Sequence, residues 1–343
     1  MNSQWKSFLV SQSAQISADN EVSFVCDDPF PACALFDFSH LGLIRVSGED
    51  AQSFLQGQFT NDTREVTERH SQLSAYCSPK GRMLANFRIF LHQGDYFLQM
   101  PRDTYETLLK RLPMFVLMSK VKVTDASDEI VSIGLAGECA ESLLQQQFNA
   151  TPVKPGEVAQ HGEITLIRIP GEPARFQISG TADAVSALWG QLSKQAQPGN
   201  RDYWSLLDIR AGIPTIYPET ADAFVPQMTN MQQIDGVSFT KGCYTGQEVV
   251  ARMKYLGKLK RRMYLASVDT DSRPMPGDEL FAPGSDSGQG AGKVVDARPS
   301  PEGGFELLAV AEIKSFEENN LHLQSDSGPK LKPGALPYGF DEA

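Results

Sequence analysis

Two consecutive stretches of this chain carry the same order of periodicities, strand–helix–strand–strand–helix. That repetition limits the fold more than any other feature. The first stretch opens with the apolar strand Leu41-Gly42-Leu43-Ile44-Arg45-Val46. A helix is expected over 49–56, with Ser47 as its cap and Ala51, Phe54 and Leu55 on one face. Strands over 85–91 and 96–100 flank His92-Gln93-Gly94-Asp95, a hairpin turn by composition. A helix over 103–112 follows, with Asp103 and Glu106 as a capping pair, and Val121–Val123 closes the set. The second stretch runs through a strand at 130–135, a helix at 139–148, strands at 164–169 and 175–179, and a helix at 181–194. The order predicts an α+β chain in which paired ferredoxin-like units form one region.

After about residue 250 the texture changes. Short apolar runs at 263–268, 292–296 and 307–313 are separated by Gly, Pro and Ser, with a loop at 283–290. No helical period is visible there, so a small C-terminal β-barrel is expected. The resulting division is 1–250, in subdomains of roughly 1–125 and 126–250, followed by 251–343. The tail from Gly328 is expected to wrap the surface.

Composition excludes several classes. No apolar run approaches the ~20 residues that cross a bilayer. The start, Met1-Asn2-Ser3-Gln4-Trp5-Lys6, does not read as a signal peptide, so a cytoplasmic protein is expected. The cysteines are Cys26, Cys33, Cys77, Cys139 and Cys243, with no CxxC pair. A metal site is therefore not expected, and reduced thiols are. The net charge of −11 argues against wholesale nucleic-acid binding. One segment departs from it: residues 241–262 hold seven cations and one acid, Glu248. This strip, with Lys254, Lys258, Lys260, Arg261 and Arg262, suits either an anionic partner or plain solvation.

Within it, Lys241-Gly242-Cys243-Tyr244-Thr245-Gly246-Gln247-Glu248 concentrates a thiol, an aromatic, a cation, an acid and two glycines. Gly242 frees the backbone beside Cys243. Lys241 is placed to favour the thiolate, and a helix starting at Gln247-Glu248 would favour an anion nearby. A tight turn holding an inert cysteine is the competing reading.

This octapeptide, with Val250-Ala251-Arg252 behind it, resembles the signature of the YgfZ family of folate-binding proteins, relatives of the glycine-cleavage T-protein. Leu55–Asp62, Tyr76, Lys80-Gly81-Arg82, Ala211-Gly212-Ile213-Pro214 and Pro226–Asn230 extend the resemblance over most of the chain. It implies a pocket for tetrahydrofolate or a one-carbon derivative, with Trp204 on its wall. It implies roles at this site for Lys241, Gly242, Tyr244, Gly246, Gln247, Glu248 and Arg252, and a chemical role for Cys243. Where some bacterial members have a second tryptophan, this chain has Leu41, which keeps an apolar wall but removes a stacking surface.

The T-protein comparison also implies losses. The stretch Leu98–Thr107 does not reproduce that enzyme's folate-directed aspartate. Arg210 stands where a carboxylate would receive the pterin's N–H groups, which an arginine cannot do; Asp208 lies two residues earlier. The resemblance therefore implies a folate-dependent accessory factor for iron–sulfur enzymes, including those that modify tRNA. Two alternatives are a one-carbon (aminomethyl) transferase and a direct tRNA binder.

Overall fold

The computed structural model describes residues 1–18, 20–255, 257, 259–283 and 290–340. It is a mixed α+β chain that divides into two compact units built from interleaved segments. The first comprises Met1–Gln56, Asp62–Gln72 and Phe87–Trp204; the second comprises Gly57–Asn61, Leu73–Asn86 and Ser205–Ala343.

In the first unit, one sheet has the order Val158–His161, Ile164–Ile169, Arg175–Gly180, Val131–Gly137, Cys33–Asp37, Gln197–Gly199. Its neighbours are antiparallel except the last pair, in which Gln197–Gly199 runs parallel to Cys33–Asp37. The second repeat thus recruits a strand from the N-terminal segment. Helices Ala140–Gln147 and Ala182–Leu192 give Leu143, Leu144, Val185, Leu188 and Trp189 to the core of this unit. Thr181 caps the latter helix, accepting from the Ala184 amide.

A helix that the apolar spacing did not announce, Ser3–Ser11, joins the same core through Trp5 and Leu9. Asn2 caps it, and the Trp5 indole stands 5.7 Å from Trp189, edge to face. The Trp5 Nε1–H donates to Asp37 Oδ1 at 2.7 Å, and Ser39 donates to both Asp37 oxygens. Burial pushes the Asp37 carboxyl up, and these donors pull it back.

The first repeat forms a sheet in the order Gln72–Cys77, Met83–His92, Asp95–Pro101, Leu41–Ser47, Lys122–Asp125. The expected hairpin is present, with Gln93 and Gly94 both at positive φ. The caps differ from expectation. Ser47 is the last residue of its strand, and the next helix starts at Ala51. Helix Arg102–Arg111 follows Pro101 without a side-chain cap, because proline carries no side-chain acceptor, and Glu106 pairs forward with Lys110 at 2.9 Å.

In the second unit the expected small β-domain is a curled six-stranded half-barrel. Its order is His322–Leu323, Glu279–Phe281, Gly292–Pro299, Phe305–Glu312, Arg261–Val268, Lys332–Pro333. A short helix, Ile313–Glu317, interrupts the all-β texture. Within the expected loop at 283–290, residues 284–289 lie outside the described residues. The tail makes specific contacts: the Tyr338 hydroxyl donates to Gly212 O at 2.8 Å, and Phe340 lies under the Arg262 guanidinium at 4.0 Å.

The expectation of five reduced thiols is corrected. Cys33 and Cys139 form a disulfide with Cα atoms 5.7 Å apart; Cys26, Cys77 and Cys243 are free. Their separation of 106 residues hides the pairing from a linear reading. Among the described residues no helix is long and apolar enough to cross a membrane, and no cluster of three His, Cys, Asp or Glu side chains could hold a metal ion.

Candidate functional site

The signature segment is a turn leading into the helix Gln247–Tyr255, which begins where the residue types place it. Its residues alternate sharply in exposure. Lys241 and Tyr244 are buried; Gly242, Cys243 and Glu248 are exposed. The buried pair anchors the turn. Lys241 Nζ donates to Phe59 O at 2.5 Å and Asn61 O at 2.9 Å, and lies 5.0 Å over the Tyr244 ring. Its ammonium is thus directed at two backbone carbonyls of another motif.

The carbonyls belong to the Leu55–Asp62 motif, whose backbone is itself held. Asn61 Nδ2 donates to Leu73 O and Asp235 O, and Thr60 Oγ1 donates to Gly236 O at 2.8 Å. Under Tyr244 lies Cys77, whose thiol burial pushes up to about 12, with Asp222 adding to the shift. Burial likewise raises the Tyr244 phenol, with Cys77 as the second cause.

Gly246 has a left-handed φ of 83° and packs on the Lys80-Gly81-Arg82 turn. That turn is closed by Gly81 N–H to Ser78 O at 2.8 Å, and Ser78 Oγ donates to Asp222 Oδ1 at 2.7 Å. Arg82 donates to Ala223 O. Gln227 Nε2, from the Pro226–Asn230 motif, donates to Val250 O within the helix. Three of the motifs noted separately in the sequence, Leu55–Asp62, Lys80–Arg82 and Pro226–Asn230, thus meet at one turn, which presents Cys243 to solvent. Asp222 and Ser78, which brace it, carry no sequence signal.

Beyond Cys243 the helix exposes Glu248, Arg252, Lys254 and Tyr255, with the two cations in its last turn, where the helix dipole favours them. Lys254 Nζ also sits 3.9 Å over the Phe239 ring. The rest of the cationic strip is split. Lys260 is exposed, Arg261 donates to Gly290 O and approaches Glu312, and Arg262 covers Phe340. Lys258 lies outside the described residues.

Trp204 and Leu41 are in the first unit. Trp204 is 6 % exposed on helix Arg201–Arg210, edge-on to Phe38 at 4.7 Å and Phe36 at 5.2 Å, with the Arg175 guanidinium 5.1 Å over its ring. Leu41 borders a small cavity with Phe38, Ser39, Gln99 and Arg102, and Trp204 does not reach it. Phe38 therefore stands between the two residues singled out in the sequence. Arg210 holds Glu306 with Nε and Nη2 at 2.9 and 2.6 Å, a two-point pair within the second unit.

The chain matches the GCVT N-terminal domain family over residues 18–184. It is 32 % identical over 324 residues to the tRNA-modifying protein YgfZ of Sodalis glossinidius (strain morsitans), covering 92 % of this chain and 98 % of that protein. It is 36 % identical over 251 residues to the tRNA-modifying protein YgfZ of Colwellia psychrerythraea, covering 73 % of this chain and 76 % of that protein. The crystal structure of glycine cleavage system aminomethyltransferase T from Bartonella henselae matches with a TM-score of 0.75 over 98 % of this chain and 97 % of that one. Sequence identity to it is 14 %, so the likeness is one of fold.

Proposed function

The chain belongs to the YgfZ family of tRNA-modifying proteins, and from that membership we propose that it is a cytoplasmic, tetrahydrofolate-binding accessory factor for iron–sulfur enzymes that modify tRNA. The observation that carries the reading is the exposed Cys243 on a turn held from beneath by Lys241, Tyr244 and Gly246. A thiol presented on a fixed backbone is suited to engaging a partner's sulfur or cluster transiently. One cysteine is too few to hold a cluster alone.

The reading places folate in the region of residues 1–250, ahead of the C-terminal β-domain. The strand order of the first repeat, second hairpin partner beside the opening strand, supports a ferredoxin-like unit there. The chemistry of the side chains fits a pterin. Phe38 offers an aromatic face, Leu41 an aliphatic one, and the Gln99 amide both a donor and an acceptor, around a cavity of about 20 Å³ that would have to widen to take the ring. Trp204 then serves as the layer behind Phe38. Bound tetrahydrofolate would supply a carrier for a one-carbon unit; this chain's part is to hold and orient it. Arg210, committed to Glu306, supports a role other than aminomethyl transfer.

The test has two arms. Tetrahydrofolate titrated into the protein should bind, and Phe38→Ala should weaken binding more than Trp204→Phe. Cells lacking the protein should regain tRNA-modifying iron–sulfur activity with wild type and not with Cys243→Ser. Full complementation by the Ser variant would remove the thiol from the function.

A second reading is favoured by one feature. Arg252, Lys254, Tyr255 and Lys260 are all exposed, and Lys254 Nζ lies 5.7 Å from the Tyr255 ring, a cation–aromatic pairing of the kind RNA-binding surfaces use. Direct tRNA binding there would weaken steeply with salt and be lost on reversing the three charges.

A further inference from the structure

We propose that Cys33 and Cys139 form a reversible dithiol–disulfide site that exchanges with a low-molecular-weight disulfide of the glutathione type, with the fold kept in both states. The site is in the first unit, and the proposal does not depend on the folate or Cys243 readings.

Backbone pairing, rather than the bond, sets the geometry. Cys33 is the first residue of its strand and lies opposite Gly137 in the antiparallel register that continues to Asp37 and Ile133. Gly137 has a φ of 123°, and its N–H donates to Ala174 O at 3.0 Å. A Cβ at Gly137 would lie 2.0 Å from Ala32 O and 2.8 Å from Cys33 Cα, so only glycine allows this approach. Two residues later Cys139 starts the turn into helix Ala140–Gln147. The 5.7 Å between the Cα atoms is within the normal range for a disulfide. Strand pairing that holds this distance persists when the bond is open.

Both cysteines are partly exposed, unlike the fully buried Cys77. Cys139 is the N-cap residue of its helix and makes no side-chain capping bond. Cys139 thus stands at the N-terminal end of the helix, between Glu138 and Ala140 in sequence. Glu141, in that turn, is drawn toward Arg168 at 3.5 Å. Cys26, in contact with the same core, is poorly suited to attack: burial and the adjacent Asp27 and Asp28 push its thiol up.

The exchange balances as follows. The Cys139 thiolate attacks one sulfur of the small disulfide, whose S–S bond breaks, and the departing thiolate takes up a proton. The Cys33 thiolate then attacks the Cys139 sulfur of the mixed disulfide and expels the second small thiolate, which is protonated in turn. Two protein thiols lose two hydrogens, and one small disulfide becomes two small thiols. Excess small thiol reverses both steps.

The experiment is equilibration of the folded protein over a range of reduced-to-oxidised glutathione ratios, acid quenching, and peptide mapping by mass spectrometry. Circular dichroism is recorded at each ratio. The expected result is a reversible loss of two hydrogens mapped to Cys33 and Cys139, no glutathione retained at either of these two positions, and superimposable spectra. Cys33→Ser should instead retain one glutathione on Cys139. The proposal is overturned if the two residues remain thiols at every ratio, or if the bond opens only after denaturation. The wild-type titration decides this even if the Ser variant does not fold.

Discussion

Gly81 and Gly246 occupy the space that each other's side chain would need. A Cβ on Gly246 would lie 2.8 Å from Gly81 Cα and 2.5 Å from Ser78 O; a Cβ on Gly81 would lie 2.7 Å from Val249 Cβ and 3.0 Å from Gly246 O. Both residues have left-handed φ, 70° and 83°. The contact locks two motifs 165 positions apart into one turn.

Gly246→Ala and Gly81→Ala should each destabilise the protein by about 2 kcal/mol or more, from left-handed strain plus overlap with backbone. Gly242→Ala should change stability by less than about 0.5 kcal/mol, because nothing lies within 4 Å of its Cβ position and its φ is unremarkable for any residue. Urea unfolding separates the cases. A Gly242→Ala protein that is stable but inactive in complementation would assign that glycine to close approach by a partner.

Lys241→Met should cost about 1–3 kcal/mol, since it leaves the buried Phe59 and Asn61 carbonyls short of a donor. The loss should appear as a lower denaturant midpoint. An unchanged midpoint would mean that the ammonium contributes nothing to holding the turn.

Pulsed alkylation of the folded, unreduced protein should label Cys243 first and Cys77 last. Cys243 is exposed, whereas Cys77 is buried with its thiol pushed up to about 12. Cys33 and Cys139 should label only after reduction. Equal rates for Cys243 and Cys77 would contradict the exposure pattern of the turn.

Asp296 carries a pH dependence of definite sign. It is 3 % exposed, accepts from the Tyr217 hydroxyl at 3.2 Å and lies 2.9 Å from the Arg298 guanidinium. Burial nevertheless pushes its carboxyl up to about 6, with Arg298 opposing. A folded-state value above the unfolded one means that folding favours the protonated form. Its contribution is full below about pH 4 and is lost as pH rises through about 6. The loss is on the order of 3 kcal/mol at most. The difference in stability between wild type and Asp296→Asn, measured from pH 4 to 7, should therefore move against wild type. A flat difference would show that Arg298 keeps the carboxylate charged throughout.

What the sequence determined by itself was local. Apolar spacing marked the strands and helices of both repeats, and the Lys241–Glu248 segment marked the turn, because each rests on neighbours within a few positions. Even there, caps were misread at Ser47, which ends its strand, and at Asp103, which lies inside a helix that starts after Pro101. What only the tertiary structure decided were relations between distant segments. Cys33 meets Cys139 because the N-terminal strand enters the second repeat's sheet. Lys241 reaches the carbonyls of Phe59 and Asn61 because a buried ammonium must find acceptors, and those are 180 positions away or more. Gly81 and Gly246 carry no separate meaning in a linear reading. Their shared role exists only where two backbones come closer than a Cβ allows.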